Sequence, residues 1–217
     1  MTARDGIGMT SGRTRLRMIE NLRKEGIVDE RVLNAMAEIT RHVFVDEGIA
    51  SRAYEDVALP IGHGQTISSP TIVALMTQLL LEKTPMNKVL EIGTGCGYQA
   101  AVLGKLVKEL YTMERIAPLM DKARRHLRDL RFYNVRYKHA DGHAGYPEGG
   151  PYDGILMAAS ATHIPEALKL QLAVGGRMVL PVGTDDQWLW VVDRTEKGFV
   201  EQKRAAVRFV PLLPGLA

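Results

Sequence analysis

The chain has 217 residues, 46% hydrophobic and 24% charged, with 21 Gly and 10 Pro, which excludes collagen-like, low-complexity and wholly disordered proteins. Its charge is mild, 28 Lys and Arg against 25 Asp and Glu. It has no apolar run of the ~20 residues a membrane helix needs and no secretory signal core in residues 1–12, and a lone Cys96 forbids an internal disulfide, so a cytoplasmic location is expected.

In chain order, residues 1–12 are polar and aperiodic, and a disordered terminus is expected there. Arg15 to Glu25 reads as a helix with Leu16, Ile19 and Leu22 on one stripe, closed by Gly26. Asp29 can cap a second helix carrying Val32, Leu33, Met36 and Ile39 on one face. His42 to Leu59 reads as an irregular connection, followed by the Gly-rich run Pro60 to Ser68. Ser69 as N-cap with Pro70 at the first helical position starts a third helix, its inward face Ile72, Val73, Met76, Leu79 and Leu80. Residues 13–86 thus form a helical region before a core over 87–217.

From Lys88 the period changes. Strands are expected at Val89–Ile92, Leu110–Met113, Val135–Tyr137, Tyr152–Met157 and Arg177–Val182, with helices at Tyr98–Leu106, Ile116–Leu130 and Ile164–Leu172. Such alternation implies right-handed crossovers and a mostly parallel, doubly wound sheet with helices on both faces. Trp188–Val192, Phe199–Val200 and Ala205–Val210 lack intervening helices and give an antiparallel C-terminal edge. Two basic clusters, Arg13 to Lys24 and Lys122 to Arg131, raise nucleic acid as a partner. Interspersed acids and apolar spacing assign both to the solvated faces of amphipathic helices.

The central signal is Glu91-Ile92-Gly93-Thr94-Gly95-Cys96-Gly97-Tyr98. Alternate glycines turn the backbone sharply from strand to helix and let a ligand lie against the main chain. Glu114, 23 residues beyond Glu91, ends the second strand, where a carboxylate accepts hydrogen bonds from both ribose hydroxyls of an adenosine. Asp141-Gly142, after the third strand, is placed to reach an adenine edge. Gly95 to Ala100 also satisfies the dinucleotide pattern G-x-G-x-x-A. The acid before the glycines, and the 87 residues preceding Lys88, instead resemble motif I of class I Rossmann-like methyltransferases that use S-adenosylmethionine. Glu91 either braces the glycine loop or touches this cofactor; Cys96 reads as a small residue filling the turn.

The resemblance narrows further. Leu59-Pro60-Ile61-Gly62-His63-Gly64-Gln65-Thr66-Ile67-Ser68-Ser69-Pro70 looks like the hallmark segment of protein-L-isoaspartate O-methyltransferases. So do Val89 to Tyr98, Pro151 to Ile155, Gly175 to Gly183 and Val207 to Leu212, in family order over nearly the whole chain. One departure is Ala158-Ala159-Ser160-Ala161-Thr162, where many members carry a Pro near Ser160 or Ala161. The resemblance implies methyl transfer from S-adenosylmethionine to the free α-carboxyl of L-isoaspartyl residues, with repair through a succinimide. It implies protein or peptide substrates and no metal; neither nucleic acid nor membrane is expected as a partner, and a monomer is expected.

A carboxylate of pKa ~4 is ionised at neutral pH and needs no general base, so the task is to hold its oxygen in line with the S–CH₃ bond at about 3–3.5 Å. Ser68 is the candidate for that holding: it precedes a helix whose free N–H groups and positive dipole end favour an anion. The resemblance puts Ser68 at the family's active-site serine. It puts Gln65, Thr66 and Ile67, with Gly93, Thr94, Gly95, Cys96 and Gly97, at the cofactor. Ile67, Ser69, Phe209 and Val210 are the expected substrate contacts. The rivals are a nucleic-acid or small-molecule methyltransferase on the same fold, and a binding module without catalysis. Met157-Ala158-Ala159-Ser160 lacks the polar acceptors that base-amine methylases place there, and the complete glycine loop, Glu114 and Ser68 speak against a dead module. His139 and His143 flank Asp141-Gly142, so they read as loop rather than metal ligands.

Overall fold

Seven strands set the frame of the computed structural model, which describes residues 8–83 and 85–217. Two helices come first. α1 (Gly12–Lys24) starts at Ser11, whose side chain accepts from Thr14 N–H, and Gly8–Thr10 form a 3-10 turn before it. The expected disordered stretch therefore does not include residues 8–12, and residues 1–7 lie outside the described ones. α2 (Glu30–Glu38) has Asp29 as N-cap, as its sequence predicts. The irregular connection contains two 3-10 turns, Arg41–Phe44 and Glu47–Arg52. A small antiparallel hairpin follows, β1 (Leu59–Gly62) and β2 (Gln65–Ile67), which the sequence reading passed over. Its turn is carried by left-handed Gly62, His63 and Gly64.

α3 (Pro70–Leu81) begins at the Ser69 cap, and its Val73, Met76, Leu79 and Leu80 are buried while Ile72 is half-buried. The core alternates β3 (Lys88–Ile92), α4 (Tyr98–Leu106), β4 (Glu109–Glu114), α5 (Ala117–Asp129), β5 (Val135–His139) and β6 (Tyr152–Met157). The expected helix at Ile164–Leu172 is a single turn, α6 (Glu166–Lys169), because Leu172 already belongs to the long strand β7 (Leu172–Val182). β8 (Gln187–Thr195) and β9 (Gly198–Val207) complete the sheet; the last two expected strands are one, and Arg208–Val210 leave it.

The sheet order is β5-β4-β3-β6-β7-β8-β9, parallel from β5 to β7 and antiparallel beyond. The period of two sorts each strand between two cores: Val89, Leu156 and Val179 face α3, α4 and α5, while Leu90, Ile92, Ile155 and Met178 face the other side. α1 and α2 add a second layer on the first side. The second side is covered by α6 and two 3-10 turns around Tyr111, Tyr146 and Tyr152, so its helical layer is thinner than expected. Chain order reverses between β3 and β6, and a ligand crevice belongs at their carboxyl ends. Among the described residues, no helix is long and apolar enough to cross a membrane.

Candidate active site

The crevice holds a cavity floored by the glycine loop and roofed by the hairpin and the start of α3. Eight of the expected cofactor contacts line it, Gln65, Thr66, Ile67, Gly93, Thr94, Gly95, Cys96 and Glu114, together with Ser68 and the expected substrate contact Val210. Gly93 and Gly95 have φ of 92° and 54°, and a Cβ on Gly95 would stand 3.2 Å from Ile61 Cδ1. The left-handed backbone and the close approach of hairpin to loop both favour glycine there. Glu114, at the end of β4, accepts the Gly95 N–H at 2.9 Å and the Ile116 N–H at 3.0 Å. Each carboxylate oxygen keeps a second lone pair, so the group ties the loop down and still has capacity toward the cavity.

Four expected cofactor contacts do not reach this cavity. Glu91 is fully buried beneath the loop and accepts from Thr112, whose hydroxyl pairs with that of Thr94 at 2.6 Å. Burial pushes its carboxyl up to about 8 against the opposing Thr112 hydrogen bond, and the Glu114 charge adds to the rise, so it is neutral at pH 7. Glu91 braces the loop. Gly97, at φ 92°, caps α4 and lies against α5, where a Cβ would meet Ala123 at 3.2 Å. The Asp141 carboxylate is occupied by the N–H groups of His143 at 2.9 Å and Gly215 at 2.7 Å, and by the His143 ring. Burial raises its pKa, but these donors outweigh burial and hold it at about 2. Gly142 is packed against Ile92 and Leu212.

A second, open groove of about 1050 Å³ adjoins the first. Ser68, Ser69, Phe209 and Val210 line it, opposite a wall of Asp56, Val57 and Ala58. Ile67 lines only the first cavity. Thr66, Ser68, Ala158 and Val210 line both, so Ser68 stands at the junction. The anion-holding amides expected at the start of α3 are taken: Thr71 N–H donates to Asp56 at 2.8 Å and Ile72 N–H to Ser69 Oγ at 3.4 Å. The Ser68 hydroxyl, by contrast, has no hydrogen-bond partner among the described residues. The hydroxyls without a partner at this junction are those of Ser68 and Thr66, side chains rather than a helix end.

What fixes Ser68 is a residue the sequence reading missed. Arg41 is fully buried and donates Nη2–H to the Ser68 carbonyl and Nε–H to the Ala53 carbonyl, both at 2.7 Å, with its guanidinium 4.6 Å from the Tyr98 ring centre. A fork of donors spans two chain segments as an ammonium cannot. Its 27-residue separation from Ser68 left no local signal. Burial pushes the Cys96 thiol up to about 11, which keeps it protonated, in keeping with a packing role. The family-departing loop is held without its Pro: Ser160 pairs with Pro211 and Ala161 with Val182, and Ser160 Oγ donates to the Gly183 carbonyl at 2.8 Å. Among the described residues, no three His, Cys, Asp or Glu side chains cluster as metal ligands.

Residues 13–216 match the family model "Protein-L-isoaspartate(D-aspartate) O-methyltransferase (PCMT)". The chain is 58% identical over 211 residues to a protein-L-isoaspartate O-methyltransferase of Dechloromonas aromatica, covering 97% of this chain and 98% of the relative. It is 59% identical over 217 residues to that of Methylobacillus flagellatus, covering 98% and 97%. Among solved structures, a protein-L-isoaspartate O-methyltransferase superposes with a TM-score of 0.83 at 30% identity, over 91% of this chain and 65% of that longer one. A Plasmodium falciparum beta-aspartate methyltransferase in complex with S-adenosyl-L-homocysteine gives 0.80 at 26%, over 92% and 98%. On sequence and fold together, the chain belongs to the protein-L-isoaspartate(D-aspartate) O-methyltransferase family.

Proposed function

We propose that this chain performs its family's reaction where its two cavities join, with Ser68 as the residue that presents the acceptor carboxylate. The reaction is transfer of a methyl group from S-adenosylmethionine to the α-carboxyl of L-isoaspartyl residues in damaged proteins, the ester then closing to a succinimide. The observation that carries the assignment of roles is the position of Ser68 on the wall common to both cavities.

The inner cavity suits the methyl donor: open backbone at Gly93 and Gly95, a carboxylate at Glu114, and apolar Met76 and Tyr98. When bound there, S-adenosylmethionine supplies an electrophilic methyl carbon on a sulfonium. The chain's own part is positioning. Ser68 donates its hydroxyl to one oxygen of the isoaspartyl carboxylate, which is already ionised and needs no base. Ala158 and Val210, on the same wall, keep water from the reacting oxygen. Arg41 holds the Ser68 backbone so that the hydroxyl does not swing away. Ser69, Phe209 and the bend at Asp56–Ala58 flank an extended peptide in the groove.

The reading further takes the enzyme as a cytoplasmic monomer whose acceptor is protein rather than nucleic acid. The short apolar Ala158-Ala159 stretch at the junction, without acceptors for a base amine, supports the choice of acceptor. The test uses S-adenosylmethionine with a labelled methyl group and two peptides differing only in isoaspartyl against normal aspartyl. Base-labile label on the isoaspartyl peptide alone is expected; equal labelling of both, or label only on added RNA, overturns the reading. For the roles, Ser68→Ala is expected to lower kcat by about a hundredfold while the cofactor Kd stays within about twofold. An unchanged kcat withdraws the role.

A further inference from the structure

A third concavity, an open cleft, lies between the C-terminal half of α1 and the first turn of α3. Its floor is apolar: Met18, Leu22, Tyr54 and Pro70 are all buried side chains that present one surface to it. Its rim is charged, with Asp56 and Glu25 against a single Lys24. Asp56 also lines the acceptor groove, so the cleft opens from the wall opposite Phe209 and Val210. One Asp56 oxygen accepts the Thr71 N–H, and the other has no hydrogen-bond partner among the described residues. Neither the glycine loop nor Ser68 reaches this place, and the positioning of the methyl donor makes no use of it.

A concavity with an apolar floor and a net negative rim matches one kind of side chain: a long aliphatic stem ending in a cation, whose methylenes cover apolar surface while the head stays at the water boundary. We propose that this cleft is a subsite for the side chain of a residue neighbouring the isoaspartyl residue, and that it selects Lys or Arg there. This rests on the acceptor groove being where the peptide lies. The damaged chain, held at Ser68, passes Asp56 and delivers one flanking side chain onto Leu22 and Tyr54, its cation beside Asp56 and Glu25. An apolar flanking residue gains the floor alone; an acidic one meets two carboxylates.

The test measures kcat/KM for isoaspartyl peptides identical except for Ala, Leu, Lys or Glu, placed in turn at each of two positions on either side of the damaged residue. At one position the order Lys, Leu, Ala, Glu is expected, with Lys over Ala by about fivefold or more through KM. Asp56→Asn retains an acceptor for Thr71 N–H and is expected to bring Lys down to the level of Leu. Asn21→Trp, on the exposed rim, is expected to abolish the advantage of both over Ala. All comparisons are ratios between peptides within one variant, so a general loss of activity cancels. Equal rates for Lys, Leu and Ala at every position, or a preference that neither substitution moves, overturns the subsite. Absence of methylation on every isoaspartyl peptide would instead overturn the functional reading beneath it.

Discussion

Three buried polar residues around the crevice do distinct work, and each can be separated by substitution. Glu114 satisfies two loop N–H groups, so Glu114→Ala leaves both unpaired in a buried site at about 1–3 kcal/mol each. The expected result is a cofactor Kd raised at least about tenfold by calorimetry, with a smaller change in kcat for saturated enzyme. Arg41→Lys loses the fork between Ser68 and Ala53. It is expected to lower kcat about tenfold while the cofactor Kd moves by less than about twofold; equal losses in both would make Arg41 a general packing residue. Glu91 titrates instead. Its carboxyl sits at about 8 in the fold, pushed up by burial, and near 4.3 in an unfolded chain. Between those values the folded protein holds the extra proton. The contribution of this group is therefore full below about pH 4.3 and is lost as pH rises through about 8. Glu91→Gln keeps an acceptor for Thr112 without titrating, so its melting temperature relative to the parent chain should climb from pH 5 to pH 8.5.

Among the elements, those with a local cause were legible in the sequence. α4 and β6 fall where the pattern puts them, because a glycine turn and a bounded apolar run mark their ends. Ser69-Pro70 likewise fixed α3. The helix expected at Ile164–Leu172 failed for a physical reason: its apolar spacing serves one turn packed at Leu168 and then the buried face of β7. Ser68 and the glycine loop were readable as contiguous runs, whereas Arg41 and Asp56 reach the site across 27 and 15 residues, through contacts that no local pattern encodes. The segment beyond β9 shows the same limit. Phe209 was readable as a candidate, but what places it is Gln187, which accepts its N–H at 2.6 Å and donates to its carbonyl at 3.1 Å. Gln187→Ala releases Phe209 from the start of β8, while Val210 stays held through its carbonyl by the Ser160 N–H at 2.8 Å. The expected outcome is a peptide KM raised severalfold with the cofactor Kd unaltered, measured by initial rates and by calorimetry.

Over the whole molecule, an ion cluster joins the C-terminal end of α3 to the sheet. Arg177 of β7 donates to Asp193 of β8 at 2.7 Å and 2.9 Å, to Glu82 at 2.6 Å, and to the Leu79 carbonyl at the end of α3. Arg177 and Asp193 are both buried, so removing one partner strands the other charge, at a cost of about 3–5 kcal/mol. With about 2–4 °C per kcal/mol at this size, Arg177→Ala is expected to lower the melting temperature by at least about 6 °C. The same substitution lies far from Ser68 and should leave kcat within about twofold at a permissive temperature.

The wall common to the two cavities has a kinetic consequence. Thr66, Ser68, Ala158 and Val210 border both spaces, so the inner end of the peptide groove is closed only when something fills the cavity behind it. A peptide arriving first finds an unfinished surface, while one arriving second finds a complete floor. The expected outcome is addition in a fixed sequence, donor before acceptor, with the spent donor leaving last. Initial-rate plots should intersect, and S-adenosylhomocysteine should compete with the donor but not with the peptide.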